Sequence, residues 1–138
     1  MSESELIDWV AVKSIVVVED DNTSRMLLDG LLRSIGAHRV RVAVDGEDAI
    51  NLIEAKGVPD IIFCDWMMPH MDGIGLLTVV KERYPHSRFI MVTAKKDPED
   101  VRSAASLRVD GYILKPYSRA TVLASLSRLK EKEDHPPA

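Results

Sequence analysis

The stretch DIIFCDWMMPHMDG, residues 60–73, carries an apolar run that stops on an aspartate, Asp65. A tryptophan, two methionines and a proline follow before the pair Asp72-Gly73. Ile61-Ile62-Phe63-Cys64 shows no polar–apolar alternation, the pattern of a strand covered on both faces. Residues 73–84 then read as a helix that starts after Asp72 and ends before Pro85. The unit is strand, loop, helix, and it recurs along the chain. SIVVV (14–18) precedes a helical pattern over 23–35, with Leu27 or Leu28, Leu31 or Leu32, and Ile35 on one stripe, and Gly36 as the stop. RFIMV (88–92) precedes a helix over 98–107, with Asp97 as cap and Pro98 at its first position. GYILK (111–115) precedes a helix over 119–131 that starts after Ser118 and carries Val122, Leu126 and Leu129. HRVRVAV (38–44) alternates, with Val40, Val42 and Val44 on one face, which suits an edge strand before a helix over 46–56.

Five strand–helix units in succession predict an α/β doubly wound parallel sheet with right-handed crossovers. The expected organisation is an N-terminal extension over 1–13, one domain over 14–131 and a frayed polar tail over 132–138. Trp9 is expected to pack the extension onto the body.

Composition narrows the function classes. With 138 residues the chain has room for one domain, which buries about two-thirds of its unfolded surface. A net charge of −4 and a pI near 5.5 argue against a nucleic-acid-binding face. The lone cysteine, Cys64, excludes an internal disulfide, suits a reducing cytoplasm and reads as an inert buried thiol. No apolar run approaches a membrane span, and the N-terminus lacks the pattern of a signal peptide. His38, His70, His86 and His135 lack ligand spacing and are assigned no role.

The ends of the apolar strands collect chemistry. The first runs into Glu19-Asp20-Asp21, the third into Asp65, the fourth into Thr93 and the fifth into Lys115. In an open parallel sheet these ends share one edge, where ligands bind. Two carboxylates about 4 Å apart repel by on the order of 4 kcal/mol at an effective dielectric of ~20. Protons or a cation must relieve that repulsion, and an all-oxygen site with few protein ligands suits Mg²⁺. A carboxylate nucleophile, a metal, a hydroxyl and a lysine together are the parts for phosphoryl transfer to aspartate.

The segments VVVEDD, CDWMMPHMDG, VTA and GYILKP, in this order and spacing, resemble the receiver domain of two-component response regulators over roughly residues 14–131. The resemblance implies a flavodoxin-like (βα)5 sheet with strand order 2-1-3-4-5. It implies that Asp65 accepts a phosphoryl group from a phosphohistidine on a sensor histidine kinase or a histidine phosphotransfer protein. Asp20 and Asp65 would bind Mg²⁺ directly, Glu19 through water, and Met67 through its backbone carbonyl. Lys115 would meet the phosphoryl group or Asp65, and Thr93 would bond a phosphoryl oxygen, with help from the Ala94 amide. Pro116 would follow Lys115 through a cis bond. Tyr112 would be the aromatic that changes rotamer as Thr93 moves. The output would be binding of a separate protein target through the face formed by helix 98–107, strand 111–115 and helix 119–131. Neither nucleic acid nor membrane is implied.

The sequence departs from the family at Arg108, where glycine is common and a left-handed backbone costs a side chain about 1 kcal/mol. Met67 and Lys95, two residues after Asp65 and Thr93, border the site; Met67 is expected to shield the acyl phosphate and Lys95 to favour anionic donors. Arg25 and Met26 face either a kinase or ordinary solvent. Competing readings fare worse. A phosphohydrolase would want a second acid where Met67 stands. A receiver-like module that works without phosphorylation should have lost part of the acid, Thr and Lys set. A nucleotide or flavin site would be repelled by Glu19-Asp20-Asp21. A relay intermediary, which passes the phosphoryl group on, stays open as the alternative to a terminal switch. The Met1-Ser2 start and the polar tail are expected to mark a complete chain that catalyses only its own phosphorylation and dephosphorylation.

Overall fold

In the computed structural model, which describes residues 2–136, the five apolar runs pair side by side. They are β1 (Ser14–Val18), β2 (Arg39–Ala43), β3 (Ile61–Asp65), β4 (Arg88–Thr93) and β5 (Gly111–Leu114). All pairings are parallel and the order is β2-β1-β3-β4-β5, the flavodoxin-like order the resemblance implied. The helices are α1 (Glu3–Ala11), α2 (Asn22–Ile35), α3 (Gly46–Lys56), α4 (Gly73–Arg83), α5 (Pro98–Ser106) and α6 (Arg119–Asp134).

Successive strand residues feed opposite faces. Ile15, Val17, Phe63, Ile90 and Ile113 pack with α1, α2 and α6. Val16, Val18, Ile62, Cys64, Phe89 and Met91 pack with α3, α4 and α5. Phe63 and Phe89 are fully buried on these two faces, and each such side chain contributes about 1.5–3 kcal/mol. Register then positions the chemistry. Val18 lies beside Cys64, so Glu19 runs on level with Asp65. Asp65 pairs with Val92, which puts Thr93 one position further, and Thr93 pairs with Leu114, which puts Lys115 one position beyond that.

Local signals explain most boundaries. Asp21, Asp45, Asp72 and Ser118 each accept a hydrogen bond from the backbone N–H three residues on. Gly36 closes α2 at φ +131°, and Arg108 is left-handed at φ +64°, as its position after α5 required. The Lys115–Pro116 bond is cis.

β2 stands at the edge of the sheet, as its alternation suggested; cover there reaches only Val40, while Val42 and Val44 are 44% and 45% exposed and Ala43, on the other face, is buried. The structure corrects two expectations, the Asp97 cap and the frayed tail. Asp97 makes no side-chain cap bond, so Pro98 alone marks the start of α5. Trp9 packs the N-terminal extension onto the body, as expected, and the extension is itself helical. Residues 3–11 form α1, whose Leu6 and Val10 are buried in the α2/α6 half of the core, with Trp9 packed against it. The tail is helical as far as Asp134, because Glu133 is held by the Trp9 indole N–H at 3.2 Å and the Lys13 ammonium at 3.1 Å, and Lys130 pairs with Asp134. Pro137 and Ala138, the end of the expected tail, lie outside the described residues.

Candidate functional site

Of the three acids after β1, only Asp21 does the ordinary work of helix entry, capping α2 through the Ser24 N–H at 2.8 Å. Glu19 and Asp20 turn instead toward Asp65 at the end of β3. The three residues offer carboxylate oxygens that all lie within 4.8 Å of one another. The Arg25 guanidinium donates to the Glu19 carbonyl at 2.9 Å and bonds the Asn22 side chain, which pins the turn that presents the acids. Sequence reasoning left Arg25 as a partner or solvent residue, since no local pattern marks a side chain that folds back on its own helix entry.

Lys115 closes the cluster. Its ammonium lies 2.6 Å from Glu19 Oε1 and 3.4 Å from Asp65 Oδ2. Burial, the largest single influence, acts to pull the ammonium down, but the Glu19 bond and the Asp65 charge prevail and hold it above the usual lysine value. Asp20 is held above the usual carboxylate range, first by desolvation and then by its neighbour Glu19. The second Asp65 oxygen, Oδ1, accepts the Trp66 N–H at 2.7 Å. Three carboxylates with one lysine between them leave an all-oxygen donor set that a hard divalent cation suits.

The hydroxyl side of the site lies at the end of β4. Thr93 is 1% exposed, and its Oγ1 accepts the Lys95 N–H at 3.1 Å. That leaves the hydroxyl proton free to donate. The Lys95 carbonyl accepts the Tyr112 hydroxyl at 2.6 Å, so residue 95 ties Thr93 to Tyr112 through its own backbone. Asp65, Met67, Thr93, Ala94, Lys95 and Lys115 line an open cavity of about 330 Å³. Met67 is 64% exposed at its rim. The Lys95 ammonium sits 5.2 Å from the Trp66 ring centre and 3.9 Å from Asp100. Glu19, Asp20, Asp65, Met67, Thr93, Ala94 and Lys115 therefore lie along one edge, with Tyr112 tied to them through the Lys95 carbonyl.

The loop after Asp65 has a different logic from the one its composition suggested. Trp66, Met68 and Met71 pack into the α3/α4 half of the core and anchor the loop, and Met67 alone of these reaches the cavity. Gly73 was read only as part of a helix start. A Cβ there would lie 2.5 Å from the Asp65 carbonyl oxygen and 2.8 Å from the Trp66 Cα. Both neighbours are backbone, so Gly73→Ala is expected to push α4 away from β3, cost about 1–3 kcal/mol, and displace Asp65. Thermal melts and phosphorylation of the same sample check this; an unshifted melt contradicts the close approach.

His70 stands near the site but serves the loop. Its Nδ1 lies 2.8 Å from Asp45 Oδ2, and its backbone is left-handed at φ +65°. The Asp45 bond holds the imidazole above its ordinary 6.5. Asp45 is held below the usual carboxylate range, first by the Asp48 N–H and then by His70. The raised His70 adds stability in full below 6.5, lost as pH rises through the raised value. The depressed Asp45 adds stability above 3.8, lost as pH falls through the depressed value. An NMR titration should find His70 with a midpoint above 6.5, returning toward it in Asp45→Asn; a midpoint at or below 6.5 in the parent chain contradicts the pair.

A doubly wound (βα)5 sheet whose C-terminal edge holds paired acids, a buried threonine hydroxyl and a lysine defines the phosphoacceptor class of α/β signalling modules. The chain belongs to the response regulator receiver domain family, whose model matches residues 15–127. It is 36% identical over 120 residues to the chemotaxis protein CheY-3 of Vibrio cholerae, covering 86% of this chain and 92% of that one. It is 33% identical over 120 residues to the chemotaxis protein CheY of Pseudomonas aeruginosa, covering 86% and 96%. Among solved structures it superposes with a TM-score of 0.80 on a CheY-like receiver domain protein from Methanospirillum hungatei, at 26% identity, covering 88% of this chain and 97% of that one. Receiver domains are signalling phosphoacceptors rather than enzymes in the ordinary sense, and they bind Mg²⁺ in an acidic pocket. No helix among the described residues is long and apolar enough to cross a membrane.

Proposed function

We propose that Asp65 accepts a phosphoryl group from a phosphohistidine on a sensor histidine kinase or histidine phosphotransfer protein, and that the modified chain then binds a separate protein target. The observation that carries this reading is the cavity in which Asp65, Thr93 and Lys115 meet beside Glu19 and Asp20. In the transfer, an Asp65 oxygen forms a bond to phosphorus, the phosphorus–nitrogen bond of the donor breaks, and the imidazole leaves with that electron pair. Asp20 and Asp65 would hold Mg²⁺ directly, Glu19 through water, and Met67 through its carbonyl; bound there, the ion neutralises the acids and the incoming phosphoryl oxygens. Lys115 sits between Glu19 and Asp65, within reach of the oxygens that gain charge. The uncommitted Thr93 proton, with the Ala94 amide, would donate to a phosphoryl oxygen.

Switching follows from the shared backbone of residue 95. If the Thr93 hydroxyl turns to a phosphoryl oxygen, the Lys95 N–H loses its acceptor and the bond from Tyr112 to the Lys95 carbonyl is biased with it. The modification thus favours one of two arrangements of Thr93 and Tyr112, and β5 carries the change to the α5–β5–α6 face. The donor has an apolar landing beside the site, a cavity of about 420 Å³ lined by Leu27, Ala94, Pro116 and Tyr117 among others, with Leu27 64% exposed.

The test is exposure to a small acyl-phosphate donor with Mg²⁺, followed by intact-mass measurement. A single phosphoryl adduct is expected with Mg²⁺ and none in EDTA. An unmodified mass under both conditions would refute the reading.

A further inference from the structure

At the opposite end of the sheet from the acids, the outer edge of β2 and the end of α3 enclose a cavity of about 360 Å³ that opens to solvent. Its lining includes His38, Arg39, Arg41 and Lys56, and no carboxylate. Leu52 and Val58 form an apolar wall, with Val58 50% exposed. Among the described residues neither Arg41 nor Lys56 has a carboxylate partner, whereas Arg39 is fixed by a bond from its guanidinium to the Val12 carbonyl at 3.2 Å. Each cation has an ordinary use taken singly: lysines favour helix C-termini, and charges blunt sheet edges. Those uses do not explain the arrangement. Edge protection is served by either sign, and the chain has 22 acids against 18 lysines and arginines, yet every charged side chain that lines the cavity is positive, the nearest acid, Asp60, being taken up by the Ser14 N–H at 2.8 Å and hydroxyl at 3.2 Å.

We propose that this cavity binds an organic phosphate of nucleotide size, with the phosphates on Arg41 and Lys56 and the apolar body against Leu52 and Val58. A volume of several hundred Å³ with one apolar wall and a few convergent polar groups is the usual form of a small-molecule site. Arginine offers a planar fork to phosphate oxygens and lysine a mobile point charge, so the pair suits a flexible polyphosphate. Arg39, already held by a backbone carbonyl, contributes field without having to be ordered on binding. The site is separate from the phosphoacceptor edge and does not depend on Asp65.

The probe is ATP, titrated calorimetrically into the full chain in EDTA, so that no metal draws the anion to the acids. One-to-one binding is expected, with adenosine inert and pyrophosphate weaker by about tenfold. Arg41→Gln combined with Lys56→Gln, which changes the net charge by two, is expected to weaken ATP at least tenfold while the chain stays folded, its melt lowered only slightly by the loss of the Lys56 charge at the α3 C-terminus. Asp65→Ala and, as a control for net charge, Lys132→Glu are expected to bind like the parent. Absence of binding at millimolar ATP would overturn the proposal. So would adenosine binding as tightly as ATP, pyrophosphate binding as tightly as ATP, or an equal loss in Lys132→Glu or Asp65→Ala.

Discussion

Asp65→Ala is expected to take up no phosphoryl group from any donor, under conditions in which the parent chain gains one. The loss should be complete, because no other carboxylate has the same surroundings. Glu19 is buried and engaged by Lys115 at 2.6 Å. Asp20 is exposed and does not line the cavity that joins Thr93 to Lys115. Asp65 alone lies 3.4 Å from Lys115 and in that cavity. Removing it lowers the charge repulsion among the acids but takes the acceptor from the Trp66 N–H, so the variant is expected to melt close to the parent. Intact mass after treatment with an acyl phosphate and Mg²⁺ decides the matter, and an adduct of unchanged yield in Asp65→Ala contradicts the assignment. A variant that has merely unfolded is recognised by its melt.

Asp110→Ala is expected to cost about 3–5 kcal/mol of stability. Asp110 stands just before β5, and three donors converge on it. Lys81 of α4 reaches it at 2.7 Å, Arg88 at 3.4 Å and the Phe89 N–H at 2.7 Å. The Lys81 and Asp110 side chains are each only 11% exposed. Truncation would leave a largely buried ammonium without its counter-charge and a backbone N–H without its acceptor, and both losses are costly. Urea denaturation of both chains measures the difference; a loss below about 1 kcal/mol would mean that Lys81 escapes to solvent. Lys81→Met is the instructive companion: Asp110 keeps Arg88 at 3.4 Å and the Phe89 N–H at 2.7 Å, so the loss should be smaller than that of Asp110→Ala.

The two cases mark what could be read from residue order and what could not. The sheet was legible because four of the strands are short apolar runs, the fifth alternates as an edge strand does, and most helix starts carry a capping side chain, all of them local signals. The site was legible because parallel strands deliver their ends to one edge, so Glu19, Asp65, Thr93 and Lys115 needed only strand assignments to be brought together. Asp110 was invisible as a hub, because its partners at 81 and 88 are joined to it only by packing. The same holds for Arg25, whose target is the backbone of its own turn, and for Gly73, whose need for a bare Cα is set by the carbonyl of Asp65. The α1 helix carries a local start signal in Ser2 and Glu5, but only the end of α6 gives Trp9 and Lys13 something to hold. His70 was assigned no role; pattern could not show that its loop would bring it against Asp45, 25 positions earlier.

The clasp between α1 and α6 also has a meaning for the order of assembly. Trp9 and Glu133 are separated by 124 positions, nearly the whole chain. Forming that contact alone from an unfolded coil would carry a loop-closure penalty of about 4 kcal/mol, growing only as the logarithm of length, for a single exposed hydrogen bond and a charge pair worth less than that. It therefore cannot nucleate anything. It closes once the central strands have drawn the two ends to the same side of the sheet, by which time the entropy has already been lost. The contact between the first and last helices is thus a late seal on a core that other contacts have already assembled.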